Sequence, residues 1–142
     1  MKREPLITVT DAPDPRVEKL IGDGLRRYNA EKSGIDDGRP LAVVVSDPDT
    51  REILGGISGR TSRGLLFVDL VYLPDNLRGD GLGSRVLALA EDEGRRRGCR
   101  AAVLYTSSFQ APGFYLRRGW RVFGEIPCEP PGTSRIFMTK TL

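Results

Sequence analysis

A strand, a glycine-rich turn and a helix follow one another in the middle of the sequence. Residues 65–73 read LLFVDLVYL, an almost continuous apolar run that favours a central strand covered on both faces. LRGDGLGS follows at residues 77–84, and apolar residues then recur at helical spacing through Ala90. Glycine lets a backbone adopt positive φ and approach a ligand closely. Because the first amides of a helix lack intrahelical acceptors and attract anions, the segment predicts a phosphate site.

Two familiar phosphate motifs do not fit this turn. A P-loop requires Lys-Ser or Lys-Thr after its last glycine, whereas Ser84-Arg85 follow Gly83. The dinucleotide fingerprint G-x-G-x-x-G lacks its third glycine, whether counted from Gly79 or from Gly81. A tight turn without a ligand is the remaining alternative, but one turn requires one special residue, not three in alternation.

The rest of the chain predicts one mixed sheet with helices on both faces, an α/β fold. Antiparallel strands come first, and strand–helix–strand units follow. The 142 residues fit a single domain spanning the whole chain, 1–142. Further strands are predicted at 6–10, 41–46, 53–60, 101–105, 120–126 and 135–141, and further helices at 17–30 and 109–118.

Composition excludes several classes of function. With 22 basic and 19 acidic residues, the net charge of +3 is too small to indicate a nucleic-acid-binding protein. Each arginine of the run 95–97 has an acid four residues before it, which predicts a solvated helix face. The absence of histidine excludes common zinc sites and histidine-based catalysis, and no metal is expected. Without a signal-like or membrane-spanning apolar stretch, we expect a soluble cytoplasmic protein with no membrane partner.

Two motifs resemble those of the GNAT-type N-acetyltransferases. Residues 78–83, RGDGLG, match the family signature Arg/Gln-x-x-Gly-x-Gly/Ala, and residues 109–125, FQAPGFYLRRGWRVFGE, resemble its second motif. The resemblance covers residues 65–126, and the two motifs in this order are more specific than either alone. It implies a GNAT-like acyl-CoA N-acyltransferase fold, in which two central parallel strands of a mixed sheet splay apart and acetyl-CoA lies in the gap.

The same resemblance implies where the cofactor binds. The pantetheine arm would pair with the strand around Val71 and Leu73. The pyrophosphate would contact, mainly through backbone amides, Arg78, Gly79, Asp80, Gly81, Leu82, Gly83 and Ser84. The implied reaction is acetyl transfer from acetyl-CoA to a primary amine of a small molecule or peptide, by direct attack in a ternary complex. The alternative is a catalytically silent CoA-binding sensor or interaction module of the same fold, and a homodimer is left open.

Acetyl transfer requires that the amine lose a proton and that the departing thiolate gain one. Tyr115 matches the family tyrosine near the cofactor sulfur and is the predicted general acid; without that match, packing beside Phe114 would be the preferred interpretation. Asp69 interrupts the apolar strand, and burial would favour its neutral form and make it a usable base. An ion pair with a nearby arginine explains Asp69 equally well. Glu125 is the reserve base.

The two cysteines, Cys99 and Cys128, are expected to take no part in the reaction. Cys99 lies at a predicted helix exit and Cys128 in a proline-rich loop, and no partner that would activate either thiol can be identified from the sequence.

Overall fold

The computed structural model describes residues 3–142, which fall into two compact units, 3–36 and 37–142. The first unit contains one helix, α1. The second contains the other helices and all the strands. The elements in chain order are α1 (Pro15–Ser33), β1 (Arg39–Ser46), β2 (Ile53–Ser62), β3 (Leu65–Tyr72), α2 (Leu82–Arg96), β4 (Ala101–Ser107), α3 (Pro112–Leu116), β5 (Arg121–Pro127) and β6 (Ser134–Thr141).

Helix α1 has well-defined ends. The Asp14 side chain caps its N-terminus by accepting a hydrogen bond from the Arg16 amide, and Gly34 ends it at φ +77°. The helix predicted at 17–30 is therefore confirmed and is slightly longer than expected. The strand predicted at 6–10 is wrong: these residues form no strand, and their apolar side chains are exposed. A strand requires a partner for its ladder, which a local apolar pattern cannot supply.

The second unit is built on a six-stranded mixed sheet with the order β1-β2-β3-β4-β6-β5. Only β3 and β4 run parallel, because α2 crosses between them, and the other neighbours are antiparallel. The predicted α/β fold with a mixed sheet is confirmed. Among residues 3–142, no helix is both long and apolar enough to cross a membrane.

The parallel strands β3 and β4 separate after a short contact. They pair only through Leu65–Phe67 and 101–103, whereas β3 pairs with β2 as far as Tyr72. The predicted splay is therefore confirmed. The prediction that β3 is covered on both faces along its whole length is wrong, since Leu70 is 70% exposed.

Alternate residues of the central strands form the core against α2. Leu66 on β3 is fully buried, and a Cβ added to Gly94 on α2 would lie 3.2 Å from its side chain, so helix and sheet are in close contact there. Leu104 on β4 and Met138 on β6 belong to the same core cluster. The intervening residues, including Phe67, Tyr105 and Phe137, point to the opposite face of the sheet. We call these the α2 face and the opposite face.

The charged surface of α2 differs in part from the sequence prediction. Glu91 is buried, not solvated: it accepts hydrogen bonds from Lys140 Nζ at 2.6 Å and from Trp120 Nε1 at 3.2 Å. Arg97 is largely buried as well and donates to Thr61 Oγ1 at 3.1 Å. Both residues contact partners far away in the sequence, which helical spacing alone could not reveal.

Candidate active site

A cleft of about 900 Å³ opens where β3 and β4 separate. Its volume lies in the ordinary range for a small-molecule or cofactor site. The unpaired end of β3, the glycine-rich turn, the start of α2, the end of β4 and α3 form its walls. Charged residues lining the cleft are Asp69, Arg78, Arg118 and Arg135, and its aromatic residues are Tyr72, Tyr105, Phe109, Phe114 and Tyr115.

The three glycines of the turn serve two different purposes. Gly79 and Gly81 have φ of +94° and +78°, a region that side chains disfavour, and Gly81 is the N-cap of α2. Gly83 has no such φ, but a Cβ there would lie 3.3 Å from the Phe114 ring. Two glycines therefore shape the turn, and the third allows α3 to approach α2 closely.

The turn leaves backbone donors free at the start of α2. The amide of Arg85 donates to the Gly81 carbonyl at 3.1 Å, so the preceding amides, those of 82–84, have no acceptor within the helix. No side chain caps this end. The predicted residues Gly79, Gly81, Gly83 and Ser84 line the cleft, whereas Asp80 and Leu82 do not. The free amides and the helix dipole together favour an anion at this end of α2.

Beyond Phe67, one edge of β3 has no strand beside it. Its free N–H and C=O groups face the cleft and can pair with an extended ligand. Val71 and Leu73, the two predicted pantetheine contacts, both line the cleft here. The Leu73 carbonyl already accepts a hydrogen bond from Arg78 Nε at 2.8 Å, and Arg78 is held further by Asp75 at 2.8 Å.

Tyr115 lies at the inner wall of the cleft. It is 7% exposed and packs edge-on against Phe114 and Trp120, with ring centroids 5.1 and 6.0 Å apart. Tyr115 therefore packs in the core beside Phe114, which was one interpretation of the sequence. It also lines the cleft, which was the other. Burial raises the pKa of the Tyr115 phenol above its ordinary value. The phenol consequently keeps its proton at neutral pH and can donate it.

Asp69 is half-exposed, and the expectation of a buried carboxylate is wrong. It is the extra residue of a β-bulge, because Val68 and Leu70 pair with adjacent residues of β2. Its two oxygens accept from Arg60 Nη1 at 2.8 and 2.9 Å, and the Arg60 guanidinium lies 4.4 Å from the centre of the Phe67 ring. The ion pair considered as an alternative is thus present, and the carboxylate also lines the cleft.

The two predicted catalytic side chains lie on opposite faces of the sheet. Tyr115 belongs to the core cluster on the α2 face. Asp69 lies with Phe67 and Arg60 on the opposite face. Because the cleft between β3 and β4 is lined by both residues, it connects the two faces. This arrangement can admit one substrate from each side.

The reserve base and the cysteines lie outside the cleft lining. Glu125 accepts a hydrogen bond from the Ser134 hydroxyl at 2.6 Å on the edge strand β5. Burial raises the pKa of the Cys99 thiol, which favours its unreactive neutral form. Cys128 Sγ lies 3.6 Å from Thr133 Oγ1 in the loop before β6.

Arg118 joins α3 to the start of α2, and its place in the site was not predicted from the sequence. Its Nε donates to Ser84 Oγ at 2.6 Å and its Nη1 to the Phe114 carbonyl at 2.8 Å, while the guanidinium carbon lies 3.8 Å from the centre of the Phe114 ring. A signal was present in the sequence: Arg117 and Arg118 have no acidic residue within four positions on either side. The run 95–97, by contrast, has an acid before each arginine.

The splayed sheet, the glycine turn before α2 and the cleft between the strands are the features of an acyl-CoA-dependent transferase. Residues 10–120 match the Acetyltransferase (GNAT) family, and the chain belongs to that family. Acetyltransferase Atu2258 of Agrobacterium fabrum is 35% identical over 132 residues, which cover 93% of this chain and 96% of that protein. Blasticidin-S acetyltransferase of Streptomyces morookaense is 35% identical over 140 residues, covering 96% of each chain.

A solved structure shows the same fold. The crystal structure of a protein assigned as an acetyltransferase from Agrobacterium tumefaciens superimposes with a TM-score of 0.90 at 33% identity, covering 97% of this chain and 100% of that one. The expected family, fold and enzyme class are confirmed: the protein is an acetyl-CoA-dependent acetyltransferase.

Proposed function

We propose that the enzyme transfers the acetyl group of acetyl-CoA to a primary amine of a small molecule, by direct attack within a ternary complex. The observation that carries the proposal is the cleft between β3 and β4, with Tyr115 on one face of the sheet and Asp69 on the other. The donor enters from the α2 face and the acceptor from the opposite face. Blasticidin-S acetyltransferase, one relative, is named for a small-molecule substrate, which supports an acceptor of that size.

The donor is held by backbone more than by side chains. Its pyrophosphate lies on the free amides of 82–84, at the positive end of the α2 dipole. Its pantetheine arm extends along the unpaired edge of β3 beside Val71, as an added strand would. The thioester then reaches the inner end of the cleft near Tyr115.

The reaction exchanges one C–S bond for one C–N bond. The lone pair of the neutral amine attacks the thioester carbonyl carbon, and the C–S bond breaks with its electron pair remaining on sulfur. Tyr115 donates its phenolic proton to the departing thiolate. Asp69 takes the proton that the amine loses, directly or through water. The products are the acetamide and CoA, and the proton on Asp69 returns to the tyrosine through solvent.

The surroundings of Asp69 suit a base that acts with water. At 46% side-chain exposure, water reaches Asp69, while Arg60 fixes its orientation. Strand alternation places this side chain with Phe67 on the opposite face of the sheet, the side from which the acceptor enters.

The proposal is tested by measuring thiol release from acetyl-CoA with a panel of amines: blasticidin S, an aminoglycoside, a polyamine and a short peptide with a free N-terminus. We expect release with a small-molecule amine, and initial velocities that give intersecting lines when both substrates are varied. Parallel lines would indicate an acyl-enzyme and contradict direct attack. CoA binding without amine-dependent release from any panel member would favour the sensor alternative.

A further inference from the structure

One charged residue of the cleft, Arg135, differs from the others in its contacts. The other three are held by neighbouring groups: Asp69 by Arg60, Arg78 by Asp75 and Arg118 by Ser84. Among residues 3–142, no carboxylate lies within 4.0 Å of the Arg135 side chain. The hydrogen bonds donated by arginine side chains in the same part of the chain all come from other arginines. The guanidinium of Arg135 is therefore available to a ligand.

Arg135 lies on the side of the sheet from which the acceptor enters. Ile136 and Met138 of β6 belong to the core on the α2 face. Because side chains alternate along a strand, Arg135 and Phe137 lie on the opposite face, together with Asp69. In the proposed function the donor lies on the α2 face. The free guanidinium can therefore contact the acceptor rather than CoA.

Aromatic side chains lie on the opposite face between Asp69 and Arg135. Strand β4 separates β3 from β6, and its Tyr105 lines the cleft and is 57% exposed. Tyr105 pairs with Phe137 across β4 and β6, and the centroids of the two rings are 5.6 Å apart. Exposed ring surfaces of this kind offer an apolar contact to a flat ligand. The opposite face therefore presents a carboxylate, an aromatic surface and a free guanidinium in succession.

The spacing of the strands sets the distance between the two charged groups. Strands β3 and β6 are two positions apart in the sheet. With neighbouring strands about 5 Å apart, the backbones at Asp69 and Arg135 are separated by about 10 Å or more. Side chains of a strand stand roughly perpendicular to the sheet and so keep much of this separation. A molecule that contacts both groups therefore carries its amine and its anion at opposite ends, with its body against Tyr105.

We propose that Arg135 binds a carboxylate of the acceptor, and that the enzyme is selective for small amines with a carboxylate at the far end of an apolar or aromatic body. This inference rests on the proposed function, in which the amine lies beside Asp69. A guanidinium binds a carboxylate through two parallel hydrogen bonds. Arg60, on the same face, is already neutralised by Asp69, so the positive charge of Arg135 is matched by a single carboxylate.

The test compares 4-(aminomethyl)benzoate with benzylamine as acceptors, by thiol release from acetyl-CoA. The two compounds share the ring and the amine and differ only in the carboxylate. The wild-type enzyme is expected to show a kcat/KM about 10-fold higher for 4-(aminomethyl)benzoate, mainly through a lower KM. This is the lower end of the range for a hydrogen bond to a charged group, because Arg135 is exposed to water.

Three variants assign the preference to Arg135. Arg135→Gln should bring the ratio of the two kcat/KM values close to one, and Arg135→Lys, which keeps the charge, should retain part of the preference. Arg121→Gln is the matched control: it removes an exposed arginine outside the cleft lining and should leave the ratio at its wild-type value. CoA affinity, measured by isothermal titration calorimetry, should be the same in all three variants and in the wild type.

Failure of this inference can be distinguished from failure of the proposed function. A wild-type ratio near one, or use of neither compound while another amine is acetylated, would overturn the carboxylate site and leave the proposed transferase intact. A preference that persists in Arg135→Gln would overturn the role of Arg135. Weaker CoA binding in that variant would also overturn it, because Arg135 would then act on the donor. Absence of thiol release with every amine would overturn the proposed function and this inference together.

Discussion

The two halves of β3 have similar apolar residues but different surroundings. In the first half, 65–68, the strand pairs with β2 on one edge and mostly with β4 on the other, and Leu66 is fully buried. In the second half, 69–72, the contact with β4 is lost, a bulge occurs at Asp69 and Leu70 is 70% exposed. Backbone N–H and C=O groups that hydrogen-bond to a neighbouring strand contribute to stability. Groups without a strand partner are available to hydrogen-bond to a ligand. The cleft therefore lies where the hydrogen bonds between β3 and β4 end.

The largest expected effect is on turnover, and it comes from replacing Tyr115 in the cleft beside the second half of β3. Tyr115→Phe keeps the ring and deletes only the proton donor, so we expect kcat to fall about 10²- to 10⁴-fold, the usual range for general acid catalysis. CoA affinity and the free energy of unfolding should change little, because the ring still packs against Phe114 and Trp120. Steady-state kinetics beside CoA titration checks this. Unchanged turnover would assign Tyr115 to the core alone.

Two leucines, one in each half of β3, test whether the first half contributes more to the free energy of unfolding. Leu66→Ala removes a fully buried side chain and should lower the free energy of unfolding by about 2–5 kcal/mol. Leu70→Ala, four residues along the same strand, removes an exposed side chain and should change it by less than about 0.5 kcal/mol. Urea unfolding of the two variants provides the comparison. Equal losses of stability would show that the second half of β3 is packed as tightly as the first.

Asp69 lies in the second half of β3, and its replacement tests the proposed role of its carboxylate as the base. Asp69→Asn should lower kcat/KM at neutral pH by about 10²-fold, the lower end of the range for general base catalysis, because water also reaches the site. The loss should shrink as the pH rises toward the pKa of the acceptor amine, where the amine loses its proton unaided. A pH–rate profile measures this effect.

Arg60→Gln is the control for Asp69, because it breaks the same ion pair but keeps the carboxylate. It should retain most of the activity, and neither variant should lose more than about 1 kcal/mol of stability, since the pair is half-exposed. If both variants lost the same activity at every pH, the activity would depend on the ion pair and not on Asp69 as a base.

Most of the elements around the site could be predicted from local patterns. The apolar run of β3, the glycines before α2 and the helical spacing after them are properties of consecutive residues, and all three elements are present. The helix predicted at 109–118 is the five-residue α3, Pro112–Leu116, so only its boundaries were wrong. That one domain spans the chain stays a prediction, as do the catalytic roles of Tyr115 and Asp69.

What could not be predicted depends on contacts between distant residues. The place where β4 leaves β3 is set by packing around the whole sheet, so the exposure of Leu70 and the half-exposed position of Asp69 were not apparent from an apolar run. Glu91 lies on α2 at a position that spacing assigns to solvent, yet its partners come from β6 and from the residue before β5. The contact of Arg118 with Ser84 likewise joins residues that are 34 positions apart.

Hydrogen exchange of β3 with and without CoA tests the central claim most directly. At saturating CoA, we predict that amides in 69–73 and at the start of α2, 82–84, exchange more slowly, because the ligand supplies the partners that β4 does not. Amides in 65–68 should exchange slowly and at the same rate in both states, since β2 and β4 already pair with them. CoA-dependent protection confined to 65–68, or no protection at all in 69–84 while CoA is bound, would contradict the account.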